Sequence, residues 1–426
     1  MKGKKICETW YQPFLKPLWL WVLLFYPPLL APSAFLSAQP TDGYTGPLPD
    51  PSVEVLPDSS NFVTASLLVA EPTYSFYSAF GHAALRMQCP AYHLDYVFTF
   101  ESDPNVGNFM TGIAGKAMAK YIPVPVDVYV GGMDQQERKV TEYVLNLTHH
   151  EKQHLWQLLD EDVAAGSYRN FNFLMANCVS TSLKTVEESL AGEHFEWGPI
   201  RHPMQLKDGD LLRYYCRNSS WMEFVLITFL GSIYDIYSPL AVRLTPNEAV
   251  PYLRKVSIVN DSTGEKRFVI TDPGKVIVEH PLRNTDTRII PTVVFSVLLL
   301  ITLLLTILEW TRRLHKWLRV FDLLLFSLIA VIGCLLLFVT FYSELFGSTW
   351  NWYILPYNPL PLLVLLFDRQ TQFGRYFWLV YSLVLVLFIL ATPFVGVLDV
   401  PHQLITAALL VRSVMQLFIR DKINLK

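Results

Sequence analysis

The chain has 426 residues, of which 52% are hydrophobic, and a formal net charge of -3. This charge argues against a nucleic-acid partner, and the apolar content lies above that of ordinary soluble proteins. Two unlike parts make up this average: residues 40–287 have a soluble composition, whereas Leu, Val, Ile and Phe dominate from residue 288 onward.

The N-terminus has the layout of a secretory signal peptide. Lys2, Lys4 and Lys5 precede an apolar run at 18–30, and small residues follow up to residue 38. We predict a signal peptide at 1–38, with an uncleaved anchor as the alternative, and a Pro-, Asp- and Gly-rich linker at 39–60. Both alternatives export the domain at 61–287.

The exported domain has mixed helix and strand patterns, which predict an α+β fold. The predicted strands are 62–70, a hairpin of 80–87 and 94–100, a weak edge strand at 122–130 interrupted by two prolines, and 168–173. The predicted helices are 108–120, 135–147, a helix from a capping box at Thr148 and Glu151 to about 165, and a helix that begins at Cys178.

Cys178 is the candidate nucleophile. Asn177 is a good N-cap, so Cys178 lies in the first turn of a helix, where unpaired N–H groups and the helix dipole favour a thiolate. The same N–H groups, supported by Asn177, are candidates to bind an oxyanion. The alternative is that Cys178 is a small buried packing residue, as free cysteines often are.

His82 is the candidate base, because it follows a glycine turn at the start of a predicted strand and Cys–His partners meet in space rather than in sequence. A core or surface histidine is the alternative. Cys89 and Cys216 are available for a disulfide in an oxidising compartment. The histidines at 149, 150 and 154 are better explained as a capped helix surface than as metal ligands.

The apolar stretch 222–242 is too short to span a bilayer, which leaves a buried core element or a segment resting on the membrane surface. From residue 288 to 426 we predict a transmembrane domain of about five helices, at 290–310, 320–342, 353–367, 376–397 and 401–419. Five spans place three basic groups on one side, which the positive-inside rule makes cytoplasmic; they are Arg312, Arg313, Lys316 and Arg319, then Arg369 and Arg375, then Arg420, Lys422 and Lys426. Arg412 is expected to snorkel, and the few other charges at membrane depth argue against an ion channel.

Four sequence segments together resemble the Lnb family of bacterial lipoprotein N-acyltransferases, known from Bacteroides and its relatives. They are Phe80-Gly81-His82-Ala83-Ala84-Leu85-Arg86, the runs 94–98 and 145–148, and Asn177-Cys178 with hydroxyl residues after it. The resemblance implies that Cys178 and His82 are catalytic. The order of histidine before cysteine also looks like the circularly permuted papain-like (NlpC/P60-like) enzymes, in which a polar residue on the neighbouring strand orients the histidine. Asp95, or else His93, is expected in that role.

The resemblance implies an exported catalytic domain on the periplasmic side of the bacterial inner membrane, followed by an all-α transmembrane bundle. It implies a transfer of an acyl chain from a membrane phospholipid, through a Cys178 thioester, to the N-terminal amine of a diacylated lipoprotein, with no metal or other cofactor. A membrane-anchored cysteine peptidase or amidase acting on cell-wall peptides would use the same two residues. A non-catalytic binding module with a buried Cys178 is the third hypothesis.

Overall fold

The computed structural model describes residues 62–73, 78–103, 109–171, 176–197, 213, 215–216, 219–231, 245–281, 289–310, 315–344, 351–367, 371–395 and 399–423. The predicted signal peptide and linker lie outside these residues.

The exported part is built on two antiparallel sheets. Its strands are β1 (Thr64–Ala70), β2 (His82–Cys89), β3 (Leu94–Ser102), β4 (Ala117–Pro125), β5 (Val140–Val144), β6 (Arg169–Phe171), β7 (Glu193–Glu196), β8 (Ser257–Asn260), β9 (Lys266–Phe268) and β10 (Lys275–Val278). The larger sheet has seven strands in the order β10-β5-β1-β2-β3-β4-β6, and the smaller has the order β7-β8-β9. β1, β2 and β3 therefore lie side by side near the middle of the larger sheet.

Helices cover both faces of the larger sheet. The helices of the exported part are α1 (Phe109–Ile113), α2 (Val126–Gln135), α3 (His149–Ala164), α4 (Cys178–Glu188), α5 (Ser220–Leu230) and α6 (Pro246–Leu253). One face packs Leu67 and Leu85 against Val179 and Leu183 of α4, and the other packs Leu68 and neighbouring residues against α2. Because strand side chains alternate in direction, a strand can supply both cores.

Several predicted elements are confirmed. β1, the β2–β3 hairpin, β6 and α4 lie where the sequence predicts them. The capping box is also present, since the Thr148 hydroxyl accepts from the Glu151 N–H and the Glu151 carboxylate accepts from the Thr148 N–H.

One predicted helix is wrong and another is confirmed only in part. Residues 135–147 contain the strand β5, whereas the region 108–120 contains the short helix α1 and then the start of β4. The predicted edge strand at 122–130 is the end of β4 followed by α2. Its two prolines are tolerated because β6 pairs only with Ala117–Ala119, so within the described residues the proline end of β4 has a free edge.

Five helices follow in the described part of the C-terminal region. They are α7 (Ile289–Trp310), α8 (His315–Phe341), α9 (Leu360–Phe367), α10 (Gln372–Val395) and α11 (Val400–Ile423). Three of them, α7, α8 and α10, are long and apolar enough to cross a membrane. α11 is as long as α10 but more polar, and its polar side chains His402, Arg412 and Gln416 are buried within the bundle.

The predicted span at 353–367 is not a continuous helix. A 3-10 turn at Trp352–Ile354 precedes α9, whose eight residues extend only about 12 Å. Pro356 and Pro359 lack the N–H groups that a helix through this segment would need. The irregular stretch is enclosed by protein, since Tyr353 and Tyr357 are buried and its backbone at Asn358 packs against Gly333 of α8. Non-helical backbone at membrane depth is tolerated in such a setting.

Arg412 does not snorkel. Its side chain is fully buried, and its guanidinium donates to both Asp322 carboxylate oxygens, at 2.5 and 2.8 Å, and to Glu309 at 2.9 Å. Gln416 also donates to Asp322, at 2.7 Å. The two carboxylates come from α8 and α7, so this network joins three helices.

The apolar segment at 222–242 is described only as far as Gly231, and α5 packs into the hydrophobic cluster of the C-terminal helices. The Thr228 hydroxyl contacts Nε2 of His402 at 2.7 Å, and the Asn351 amide donates to the Thr228 carbonyl at 2.8 Å. Ala79 and Phe80, in the turn that precedes β2, belong to the same cluster. The turn that leads into His82 therefore shares one hydrophobic cluster with the C-terminal helices.

Candidate active site

Cys178 is the first residue of α4, as the sequence predicts. Asn177 caps the helix, because its side-chain oxygen accepts from the N–H groups of Val179 at 3.0 Å and Ser180 at 3.1 Å. The Ser180 hydroxyl in turn accepts from the Asn177 N–H at 2.9 Å. This reciprocal cap fixes where the helix begins and therefore where the thiol points. It also occupies two of the free N–H groups that a helix N-terminus otherwise offers to an anion.

The structure brings Cys178 and His82 together. α4 packs against β2 and β3, and the two side chains hydrogen-bond each other at the start of β2. Gly81 lies immediately before His82 with a φ of 83° and forms the turn that brings the histidine to the start of the strand.

Cys178 and His82 each shift the pKa of the other. Burial by itself raises the pKa of the Cys178 thiol, but the charge of His82, its hydrogen bond, and the N–H groups of Ala83 and Val179 together lower that pKa below its usual value. Burial likewise acts to lower the pKa of His82, but the thiolate and Glu101 outweigh it and raise the pKa. Both pKa shifts favour a thiolate beside an imidazolium, which is the form a nucleophilic cysteine needs.

Thr99 and Glu101 hold the other side of the imidazole. Nε2 of His82 lies 2.6 Å from the Thr99 hydroxyl, which donates to Glu101 at 2.8 Å. Because the hydroxyl proton points to Glu101, the Thr99 oxygen must accept from Nε2–H. That assignment leaves Nδ1 to face the sulfur of Cys178. Thr99 is 3% exposed, so this contact is shielded from water.

Asp95 does not orient His82. Its carboxylate accepts from Arg86, at 2.8 and 2.6 Å, and from Gln88 at 3.0 Å. Asp95 pairs with Gln88 near the turn of the hairpin, roughly 20 Å along the strand from His82. His93, the other candidate, is exposed in the turn itself with a φ of 54°.

Two family models match most of the chain. The model described as the Lnb N-terminal periplasmic domain matches residues 58–206, and the model described as the Lnb transmembrane domain matches residues 283–423. The chain belongs to the Lnb family. No curated protein and no solved structure gives a match. The Lnb match, with three apolar helices, makes this a membrane protein with a periplasmic domain.

Both dyad residues lie within the Lnb periplasmic match, and so do Thr99 and Glu101. Sequence reasoning missed Thr99 and Glu101. The available signal was the polar alternation Thr99, Glu101 in a strand that is otherwise apolar from Val97 to Phe100. Their relation to His82 depends on the strand register, which pairs Thr99 with Ala84, two residues beyond the histidine.

Cys89 and Cys216 are both free and buried, and they belong to different hydrophobic clusters of this Lnb protein. The disulfide that the sequence allowed is therefore absent from the structure. The described residues hold no group of three or more metal-ligating side chains, and His154 contacts the carbonyl of Ser189 through Nδ1 at 3.0 Å.

Proposed function

We propose that this Lnb protein is a lipoprotein N-acyltransferase in which Cys178 is the nucleophile and His82 the general acid and base. The observation that carries the proposal is the hydrogen-bonded pair of Cys178 and His82, in which His82 follows a turn that is packed into the membrane-helix cluster through Ala79 and Phe80. A site anchored in this way meets substrates held in the outer leaflet of the inner membrane. The proposal extends to the circularly permuted papain-like fold, which the arrangement of a cysteine helix on a histidine strand supports.

The first half-reaction acylates the enzyme. The Cys178 sulfur attacks the ester carbonyl of a phospholipid, a C–S bond forms, and the ester C–O bond breaks when the tetrahedral intermediate collapses. The imidazolium of His82 gives its proton to the leaving oxygen, so a lysophospholipid departs and neutral His82 remains.

The second half-reaction transfers the chain. The amine of a diacylglyceryl-cysteine lipoprotein attacks the thioester, and His82 takes a proton from the attacking nitrogen. The C–S bond breaks, the amide forms, and the thiolate–imidazolium pair is restored. The thioester keeps the acyl-transfer potential that the ester carried, and the charge balance of the dyad is the same before and after the cycle.

Two contacts support a topology with the periplasmic domain and the C-terminal end of α8 on the same side. The Glu344 N–H donates to the Ala114 carbonyl at 3.0 Å, and the Ser343 hydroxyl donates to the Ile113 carbonyl at 2.5 Å. Lys316 and Arg319, near the first residue of α8, then lie at the opposite, cytoplasmic end of that helix, as the positive-inside rule requires.

The test is the intact mass of the purified protein after incubation with a phospholipid. We expect wild type to gain one acyl mass that hydroxylamine removes, Cys178→Ala to gain none, and a synthetic diacylated lipopeptide to discharge the adduct as a triacylated product. An adduct that water discharges while the lipopeptide stays unmodified would favour the peptidase or amidase hypothesis. Absence of any adduct on wild type, with no lysolipid released, would overturn the proposal.

A further inference from the structure

Arg138 is a buried cation next to the dyad that the reaction above does not use. Its side chain is 4% exposed, and its Nε donates to the Glu71 carbonyl at 2.9 Å. Its Nη2 lies 3.4 Å from the Ala70 carbonyl. Ala70 is the register partner of His82 in the sheet, so the guanidinium lies at the end of β1 beside the catalytic histidine.

Arg138 forms no ion pair with a carboxylate in the part of the chain that the structure describes. A buried guanidinium without a paired carboxylate is costly unless another anion balances it. Burial lowers the pKa of Arg138, and the groups that act against this are Tyr129, Cys178, Glu101 and Glu71. These four groups therefore lie around the guanidinium, on the side of the dyad.

Tyr129, on α2, adds an unused donor at the same place. Its side chain is 5% exposed, and its hydroxyl is a buried group without a hydrogen-bond partner among the described residues. Burial raises its pKa, with Arg138, Glu101 and Cys178 as its charged neighbours, so the hydroxyl keeps its proton. Tyr121 is equally buried, but its hydroxyl bonds to Thr185 at 3.0 Å. The Tyr129 hydroxyl is therefore a buried donor without an acceptor, and it neighbours a guanidinium that has carbonyl acceptors but no paired carboxylate among the described residues.

Acylation does not remove this shortage. The thiolate and the imidazolium both lose their charge when the thioester forms, so the dyad carries no net charge in either state, while Arg138 stays buried and charged. A substrate that brings its own anion to Arg138 is therefore favoured throughout the reaction. The phosphate of a glycerophospholipid lies only a few bonds from the ester that Cys178 attacks, whereas the glyceride of a lipoprotein carries no phosphate.

We propose that Arg138 and Tyr129 form an anion-binding subsite that receives the phosphate of the acyl donor and so selects phospholipids over neutral glycerides. Guanidinium and phenol groups are suited to phosphate oxygens, because both can donate hydrogen bonds to a charged acceptor. The inference rests on the proposed acyl transfer for its choice of ligand.

The experiment compares two donors with the same acyl chains, dioleoylphosphatidylethanolamine and dioleoylglycerol, presented to the full-length protein in the same detergent micelles. The rate of Cys178 acylation is read by intact mass. We expect Tyr129→Phe to lower the ratio of the two rates by about tenfold or more, the value of one hydrogen bond to a charged group. Arg138→Lys keeps the charge but loses the planar fork, and we expect it to lower the ratio as well. Tyr121→Phe is the matched control, with the ratio of wild type.

The subsite would be overturned if the ratio of the two acylation rates is unchanged in Tyr129→Phe, or if the rates with both donors fall by the same factor. A second readout does not depend on acyl transfer: glycerol 3-phosphate should slow alkylation of Cys178 by iodoacetamide in wild type, and less in Tyr129→Phe. If wild type accepts neither donor while this protection is present, the acyl-transfer proposal fails and the subsite stands. If protection is absent in wild type, the subsite fails whatever the donors show.

Discussion

At the scale of single residues, a hydroxyl fills the place next to His82 in which a carboxylate was expected. Thr99 joins the imidazole to Glu101 by two short hydrogen bonds, so the carboxylate acts on the histidine through an intervening side chain. Glu101 itself lies 3.8 Å from Nε2 and is about half exposed, whereas Thr99 is buried. A buried hydroxyl can fix the ring without placing a second desolvated charge beside the thiolate.

Thr99→Val tests this arrangement. It keeps the shape of the side chain but removes the acceptor of Nε2–H, and we expect the acylation of Cys178 to slow by about ten- to hundredfold, as for one hydrogen bond to a charged group. The measurement is single-turnover acylation followed by intact mass.

Asp95→Asn is the matched control for Thr99→Val. We expect near-normal acylation and a lower thermal midpoint, since Arg86 loses a charged partner. Loss of acylation in Asp95→Asn together with a normal rate in Thr99→Val would contradict the assignment.

The dyad also sets a pH dependence. The pKa of Cys178 lies below its usual 9.0 and that of His82 above its usual 6.5, and both shifts favour the thiolate–imidazolium form of the pair. The thiolate is lost as the pH falls through the lowered pKa of Cys178, and the acid form of His82 is lost as the pH rises through its raised pKa. We expect iodoacetamide alkylation of Cys178 to show a midpoint below pH 9.0.

His82→Gln removes the cation from this pair and should shift the alkylation midpoint upward, while Asp95→Asn should leave it in place. If the pH midpoint of alkylation is the same in His82→Gln as in wild type, the helix N-terminus alone lowers the pKa of the Cys178 thiol. That result would contradict the pairing of Cys178 with His82.

At the scale of elements, the turn before β2 controls where the histidine lies. Gly81 has a φ of 83°, and a Cβ there would come within 2.8 Å of the Ala70 carbonyl oxygen. Gly192 has a similar φ of 73° but open space around it. The two glycines therefore share the cost of left-handed backbone and differ in the steric clash.

Gly81→Ala and Gly192→Ala form a matched pair. We expect Gly192→Ala to lower the free energy of unfolding by about 1–2 kcal/mol, the cost of left-handed backbone. Gly81→Ala should lower the free energy of unfolding by about 1 kcal/mol more than Gly192→Ala does. It should also slow acylation, because relief of the clash with the Ala70 carbonyl moves His82 away from Cys178. Thermal unfolding and the acylation rate measure both effects. Equal destabilisation of the two variants with normal acylation in Gly81→Ala would contradict this account.

Sequence patterns correctly predicted the elements whose signal lies within a few neighbouring residues. The helix caps at Asn177 and Thr148 and the hairpin turn are of this kind, and these elements are confirmed. The helix predicted over 135–147 is wrong, because Val140, Val144 and Leu147 have helical spacing while the decisive contacts come from elsewhere in the chain. Glu142 of β5 is buried against Arg86 of β2, and no local window contains that pair.

At the scale of the whole molecule, a buried ionic network joins α7, α8 and α11. Arg412 is fully enclosed between Asp322 and Glu309, with Gln416 as a further donor. Removing the cation leaves two buried carboxylates without compensation, which costs far more than the pair contributes when intact.

Arg412→Met should therefore lower the stability of the bundle by about 3–5 kcal/mol. Thermal unfolding in lipid nanodiscs measures the change. The triple variant that adds Asp322→Asn and Glu309→Gln removes the uncompensated charges and should recover most of the loss. If Arg412→Met is as stable as wild type, the two carboxylates are reached by water and the network is not buried.

The sequence by itself determined the division into an exported α+β domain and a membrane domain, the positions of Cys178 and His82, and the helix cap at Asn177. Composition, signal-like patterns and caps are local properties, so a single chain displays them directly. The tertiary structure alone decided that Thr99 rather than Asp95 contacts His82, that Arg138 and Tyr129 stand beside the dyad, and that Arg412 is buried. Each of these depends on strand register or helix packing, which bring together residues far apart in the chain.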